Sequence, residues 1–258
     1  MTRLESISET IIACRRCHRL REYCQSVARE KKAAHRDDDY WGKPVPGFGD
    51  PRARVLILGL APAAHGANRT GRVFTGDGVG ASGDFLMAAL HRAGLANIPT
   101  SRHPDDGLRL RDCYIAATVR CAPPQNKPSP EEIAACADHL DAEIDALPRL
   151  RVIVALGKIA WDAYFQHLAR HGVVVRPRPA FAHGATFAPT TEGTRRTGTV
   201  GTSTPGTRTP GTTGTRGTPG TLMLFGCYHP SRQNTNTRKV TAAMYDQLFE
   251  AVKERGAL

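Results

Sequence analysis

Residues 55–77 read VLILGLAPAAHGANRTGRVFTGD, an apolar, branched run that gives way to a long loop of small, polar and turn-forming residues. The apolar part, Val55–Leu60, is too short for a core helix and reads as a strand buried on both faces. Three more runs share this character: Cys113–Val119 (CYIAATV), Val152–Leu156 (VIVAL) and Leu222–Cys227 (LMLFGC). Helical patterns separate them. Ser82–Ala93 places Phe85, Leu86, Ala89 and Leu90 on one stripe before Gly94. Pro130–Leu147 opens with Ser129 as N-cap, Pro130 at the first helical position and an acidic first turn. Lys158–Leu168 and Thr237–Val252 carry similar stripes. Strands alternating with helices predict an α/β fold with a mostly parallel sheet.

The polar loops all follow strand C-termini: Gly59–Asp77 after the first strand, Arg120–Pro128 (RCAPPQNKP) after the second and Tyr228–Thr237 (YHPSRQNTNT) after the last. In open α/β sheets the ligand crevice lies beyond the carboxyl ends of the strands. Three such loops, rich in Asn, His, Arg and Gly, describe one composite site.

The chain has 35 Lys and Arg against 24 Asp and Glu, a formal charge of +11. An excess of that size suits a phosphate-rich partner. The stretch from about residue 190 to 221 is almost wholly Gly, Thr, Pro, Ser and Arg, with repeated GT and TPGT units. It carries a net +3 of the total, so +8 belongs to the rest. With no periodic apolar positions it is expected to be a disordered insertion in a single domain spanning residues 1–258. The N-terminal MTRLESISETIIACRRCHRL lacks an apolar h-region, and no run approaches the roughly 20 apolar residues of a membrane span. A cytoplasmic monomer is the expectation.

Seven cysteines, an odd number, argue against a disulfide framework. Cys14-x2-Cys17 and the pair Cys121 and Cys136 are spaced to converge on one centre, and spacing alone allows structural zinc or an iron–sulfur cluster. Cys24 competes as a ligand, whereas Cys113 and Cys227 fall in strand runs. Two readings follow from the residues: a cluster-bearing redox enzyme and a zinc-stapled DNA-binding module. The first is weakened because Gly59–Gly66 holds no GxGxxG pattern.

The long segments GLAPAAHGANRTGR, FTGD and HPSRQNTNT closely resemble the uracil-DNA glycosylase superfamily, its family 5 branch in particular. The resemblance covers nearly all of the chain outside the Gly/Thr-rich stretch. It implies a three-layer α/β/α sandwich around a four-stranded parallel sheet. The implied activity is excision of uracil and other deaminated bases, hypoxanthine among them, from double- or single-stranded DNA without strand cleavage. It also implies a [4Fe-4S] cluster on Cys14, Cys17, Cys121 and Cys136. His229, in the HPS motif, is the implied donor to the departing base, and Phe74 the implied stacking platform. Family 1 and 4 relatives carry an activating Asp or Glu in the first motif, where this chain has Leu60 and Ala61. Asp77 and Asn126 then become the polar groups expected to manage the water, unless Asp77 instead caps the following helix. Gly59 and Ala61 are expected at the substrate. Arg69, Arg72 and Arg232, with Ser231 and Gln233, are expected to contact phosphates and fill the gap left by a flipped base. His139 and His167 are expected on helix surfaces. Arg238 stands where relatives commonly have Gly after NTNT, so the local turn is expected to differ.

Overall fold

The computed structural model describes residues 1–189, 194–196 and 222–257. Most of the Gly/Thr-rich stretch expected to be disordered therefore lies outside the described residues. The helices are α1 (Arg3–Ile12), α2 (His18–Glu30), α3 (Ala67–Thr70), α4 (Ser82–Arg92), α5 (Pro130–Asp145), α6 (Lys158–Arg170), α7 (Arg232–Asn236) and α8 (Ala242–Val252). The strands are β1 (Phe48–Gly49), β2 (Val55–Gly59), β3 (Cys113–Ala117), β4 (Val152–Leu156), β5 (Val173–Val175), β6 (Thr186–Phe187), β7 (Thr194–Arg196) and β8 (Met223–Cys227).

The main sheet runs β1-β3-β2-β4-β8-β6. Its four central strands are parallel, as the apolar runs predict. Short antiparallel strands at both edges, β1 on β3 and β6 on β8, extend the expected four strands to six. At two residues each, those edges carry too little pattern to be read from sequence. A separate ribbon pairs β5 with β7.

Strand periodicity sorts the core into two layers. Val55, Ile57, Cys113, Ile115, Val152, Val154, Phe225 and Cys227 face α4 and α8. Leu56, Leu58, Tyr114, Ala116, Ile153, Ala155 and Leu224 face α5 and α6, where Trp161, Tyr164, Phe165 and Leu168 cover them. Each fully buried aliphatic side chain contributes about 1.5–3 kcal/mol. The result is the three-layer α/β/α sandwich. A third, smaller apolar cluster gathers Leu20, Cys24, Val119, Cys121, Ala122 and Cys136 where α2 meets the loop after β3.

Helix ends largely follow the local chemistry. Ser129 and Glu132 form a reciprocal capping box at the start of α5. The expected helix from Thr237 begins only at Ala242, capped by Thr241, and the polar residues before it form the separate turn α7 capped by Ser231. His139 and His167 are buried, against expectation. His167 Nδ1 pairs with Asp141 at 2.7 Å, and Arg170 grips the same carboxylate at 2.6 and 2.7 Å.

Arg238 lies between α7 and α8 at φ 56°, the left-handed region that glycine occupies without steric cost. A side chain there costs about 1–2 kcal/mol, part of which glycine's extra unfolded-state entropy offsets. Arg238→Gly is expected to raise the unfolding free energy by about 0.5–1 kcal/mol in urea titrations. A loss of stability of that size would contradict this reading of the turn.

Candidate functional site

All four parallel strands end at one edge of the sheet, and the loops leaving β2, β3 and β8 meet there around a cavity of about 320 Å³. Its walls are Leu60, Ala61, Pro62, Ala63, Ala67, Val73, Phe74 and Ala117, with Asp77, Ser82, Asn126, His229 and Ser231 as the polar groups. Asp77, Asn126 and His229, widely separated in sequence, thus share one chamber.

The loop after β2 is held in a tight coil by two arginines. Arg69 Nε donates to the His65 carbonyl at 2.9 Å, Nη2 to the Gly76 carbonyl at 2.7 Å, and Nη1 pairs with Asp38 at 2.6 Å. Arg72 is 7% exposed. It donates to Thr75 Oγ1, the Pro104 carbonyl, Ser101 Oγ and the Asp106 carboxylate at 2.8–3.2 Å. The expectation that these two arginines meet phosphates is therefore corrected. Their donors are spent within the protein, on the loop itself and on the segments around Asp38 and Ser101–Asp106, because buried guanidinium N–H groups must find partners. They are struts that fix Gly76, beside Asp77, and the turn bearing Phe74.

Phe74 sits at φ 52°, an uncommon conformation for a bulky residue. Two glycines make room for it. Gly83, in the first turn of α4, leaves space for the Phe74 carbonyl, and a Cβ at Gly59 would come within 3.1 Å of the Phe74 ring. That ring stacks beside His229, with centroids 5.8 Å apart and planes 29° from parallel.

Asp77 nestles against Gly66, whose missing Cβ would otherwise collide with its carboxylate. It does not cap α4, whose N-cap position is Ala81. It accepts no hydrogen bond among the described residues. Burial pushes its carboxyl up to about 6, against the pull of Arg69 and Arg232 and with a small push from Asp84. Burial likewise lowers His229 to about 4, so its imidazole is neutral at pH 7.

His229 follows β8 in a backbone pinned at several points. Asn234 Nδ2 donates to the His229 carbonyl at 2.8 Å, and Tyr245 Oη donates to the Tyr228 carbonyl at 2.9 Å. Ser231 Oγ accepts from the Asn234 N–H at 3.3 Å, so it serves as a helix cap at the cavity wall. Arg232 and Gln233 are exposed on α7, and Arg232 makes a weak 3.4 Å contact with the Val79 carbonyl. Asn126 stands exposed at the mouth at φ 57°, after Gln125 at 55°. Sequence reasoning passed over Asn234, Gly83 and Ser82. Asn234 lay in a motif already noted, whereas the other two gave no signal beyond membership of a helix.

The four expected cysteines converge. Burial raises the Cys17 thiol to about 12, reinforced by Cys136, Cys121 and Cys14 around it. All seven cysteines are free. Among the described residues, the one group of three or more His, Cys, Asp or Glu whose ligand atoms lie within 4.8 Å of one another is Asp141, His167 and His171. Its carboxylate is already neutralised by Arg170. Cys24 borders the four-cysteine group, with its Sγ accepting from the Ala122 N–H at 3.2 Å.

No helix among the described residues is long and apolar enough to cross a membrane. Ionising the buried Asp77 opposes folding, so its contribution to stability is fully present below pH 4 and lost as pH rises through about 6. His229 acts oppositely, and stability is lost as pH falls from 6.5 toward 4. Asp77→Asn is expected to add about 2 kcal/mol at pH 8 and almost nothing below pH 4. Urea titrations across pH showing a constant difference would refute the buried-carboxylate reading.

Comparison with known proteins bears on the whole of this arrangement. The family described as the uracil DNA glycosylase superfamily matches residues 46–253. The chain is 44% identical over 253 residues to the type-5 uracil-DNA glycosylase of Thermus thermophilus, covering 98% of each. It is 44% identical to the Mycobacterium tuberculosis protein of that name, over 96% of this chain and 80% of the relative. Against the type-5 protein of Pyrobaculum aerophilum the identity is 37%, over 96% and 92%. A fold, a loop arrangement and a match of this extent agree: the chain belongs to the uracil DNA glycosylase superfamily.

Proposed function

We propose that this chain is a monofunctional DNA glycosylase of base excision repair that hydrolyses the N-glycosidic bond of uracil and of other deaminated bases, such as hypoxanthine. The observation that carries the proposal is the meeting of Asp77, Asn126 and His229 in one base-sized cavity walled by Phe74. The names of the type-5 relatives support uracil as a substrate.

A nucleotide rotated out of the stack brings its base into this cavity, where Phe74 offers an aromatic face. Cleavage leaves a cationic sugar and an anionic base. The neutral His229 donates a hydrogen bond to the base carbonyl as charge develops there, the role of an oxyanion-hole donor. With Leu60 and Ala61 unable to activate water, ionised Asp77 orients and deprotonates it and stabilises the sugar cation, while Asn126 holds base or water at the mouth. The remaining wall is mostly apolar and gives little polar readout of the base edge, which supports a broad substrate range. Gly59 shapes the floor through Phe74, and Ala61 lines it. Arg232 and Gln233, exposed beside the cavity, are suited to flanking phosphates, with Ser231 fixing their helix.

Cys14, Cys17, Cys121 and Cys136 fit a [4Fe-4S] cluster: they are four thiols gathered closely enough to act on one another's charge, and partly enclosed by the small apolar cluster. When bound, the cluster would tether the N-terminal helices to the loop bearing Asn126; hydrolysis itself transfers no electrons. We place the enzyme in the cytoplasm as a monomer acting on DNA, and the net +8 outside the Gly/Thr-rich stretch supports the DNA partner.

Single-turnover excision on duplex and single-stranded oligonucleotides tests this reading. Uracil and hypoxanthine should both be released, within about 100-fold of one another, leaving sites that break only after alkali. Strict uracil specificity would remove the breadth; absence of alkali-labile sites would remove the enzyme. The rate should rise tenfold per pH unit up to about 6 and then level, as Asp77 ionises. Asp77→Asn should cost about 10²–10⁴-fold and His229→Ala about 10²–10³-fold. An unchanged pH profile in Asp77→Asn would exclude it as the base.

A further inference from the structure

The end of β3 leads into a buried cation that base excision does not use. Arg120, next to Cys121, is 1% exposed. Its Nη2 donates to Glu143 Oε2 at 2.7 Å, and Glu143 on α5 is fully buried. The other oxygen of Glu143 accepts from the Gly47 N–H at 2.8 Å and from Tyr114 Oη at 3.2 Å. Three donors therefore satisfy the carboxylate. The guanidinium is not satisfied, because its Nε and Nη1 are buried with no partner among the described residues. Each buried donor left unpaired costs about 1–3 kcal/mol or more, so a fold that keeps two of them has a use for them.

What lies nearby indicates that use. Arg120 directly precedes Cys121, and its backbone N–H donates to the thiol of Cys136, one turn before His139 on α5. Arg120 also acts on His139, which burial and this cation lower to about 4 and whose Nε2 is likewise buried without a partner. Arg21 adds a second positive charge on the Cys121 side. A four-thiolate cluster is a buried anion. Its potential and its retention are set by hydrogen bonds to sulfur, local charge and solvent exclusion.

We infer that Arg120 is the internal counter-ion of the four-cysteine site, its unpartnered Nε and Nη1 donating to the bound cluster's sulfurs while Glu143 fixes the guanidinium in place. This rests on the reading of Cys14, Cys17, Cys121 and Cys136 as cluster ligands. Arg120 is a positioning and tuning residue, remote from the reacting base, and its effect is to be read at the cluster.

The test uses anaerobically purified full-length protein and follows visible absorption, the lifetime of the cluster in air with chelator, and its midpoint potential by EPR-monitored titration. Arg120→Gln should shorten cluster lifetime on the order of tenfold and shift the potential downward, because a positive charge that favours the reduced, more anionic state is gone. Glu143→Gln should shift the potential upward, because it leaves the guanidinium uncompensated. Arg120→Lys, which keeps the charge but not the guanidinium's donor geometry, should shift the potential downward by less than Arg120→Gln and shorten the lifetime, because hydrogen bonds to sulfur are lost while the charge stays. If Arg120→Gln does not fold, the opposite behaviour of the other two variants still decides the matter. Shifts in the same direction for Arg120→Gln and Glu143→Gln would reduce the pair to structural support and overturn the inference. Parent-like lifetime and potential in all variants would also overturn it. Absence of cluster absorption in the parent would remove the ligand reading on which it rests, a failure distinguishable from the other two.

Discussion

A phenyl ring can lie across the end of a buried strand only where the strand offers no side chain. Gly59, the last residue of β2, provides that gap, and Phe74 fills it from the loop that β2 itself begins. The ring's position sets the floor of the cavity and its stacking beside His229, and so ties the first loop to the third. Arg69 and Arg72 serve this one placement, since between them they hold the coil that delivers Phe74 and Asp77. A loop of Gly, Ala, Thr and Asn has little apolar surface of its own. Its rigidity comes from two guanidinium groups with their donors filled, each hydrogen bond to a charged group being worth about 1.5–3 kcal/mol.

The second anchor is the sulfur-lined nest at the end of β3. It joins α2 and α5 to the loop that presents Asn126. Asn68 links the two anchors: it is fully buried, and its amide donates to the Cys24 carbonyl and the Ala64 carbonyl, both at 3.3 Å. Asn68 thus ties the loop that walls the cavity to the sulfur nest, and among the described residues no cysteine lines the cavity itself.

Much of this architecture was legible from residues alone. Four apolar runs located the parallel strands to within two residues, since burial on both faces leaves a continuous apolar signal. The capping pattern at Ser129 located α5. The site was legible as three polar loops at strand ends, and the resemblance supplied the roles. Other features were hidden for physical reasons. Arg69 and Arg72 look like phosphate ligands in sequence, because a buried, fully paired arginine and an exposed one are spelled alike. His139 and His167 were misplaced for a related reason: the partner that admits His167 to the core, Asp141, lies on another helix. The separate turn α7 was merged with α8, since polar NTNT residues have weak helical preference and Ser231 and Thr241 both cap. The ion pair of Arg120 with Glu143 had no sequence signature.

The most direct test of this account is the single-turnover rate of uracil release by Gly59→Ala, measured beside its unfolding midpoint. The added methyl meets the Phe74 ring at 3.1–3.3 Å, closer than ordinary packing allows. The account expects a folded protein whose release rate falls on the order of 10- to 100-fold as the ring is displaced. A folded variant that releases uracil at the parent rate would contradict it, and would show that the site does not depend on the aromatic ring lodged at the end of β2.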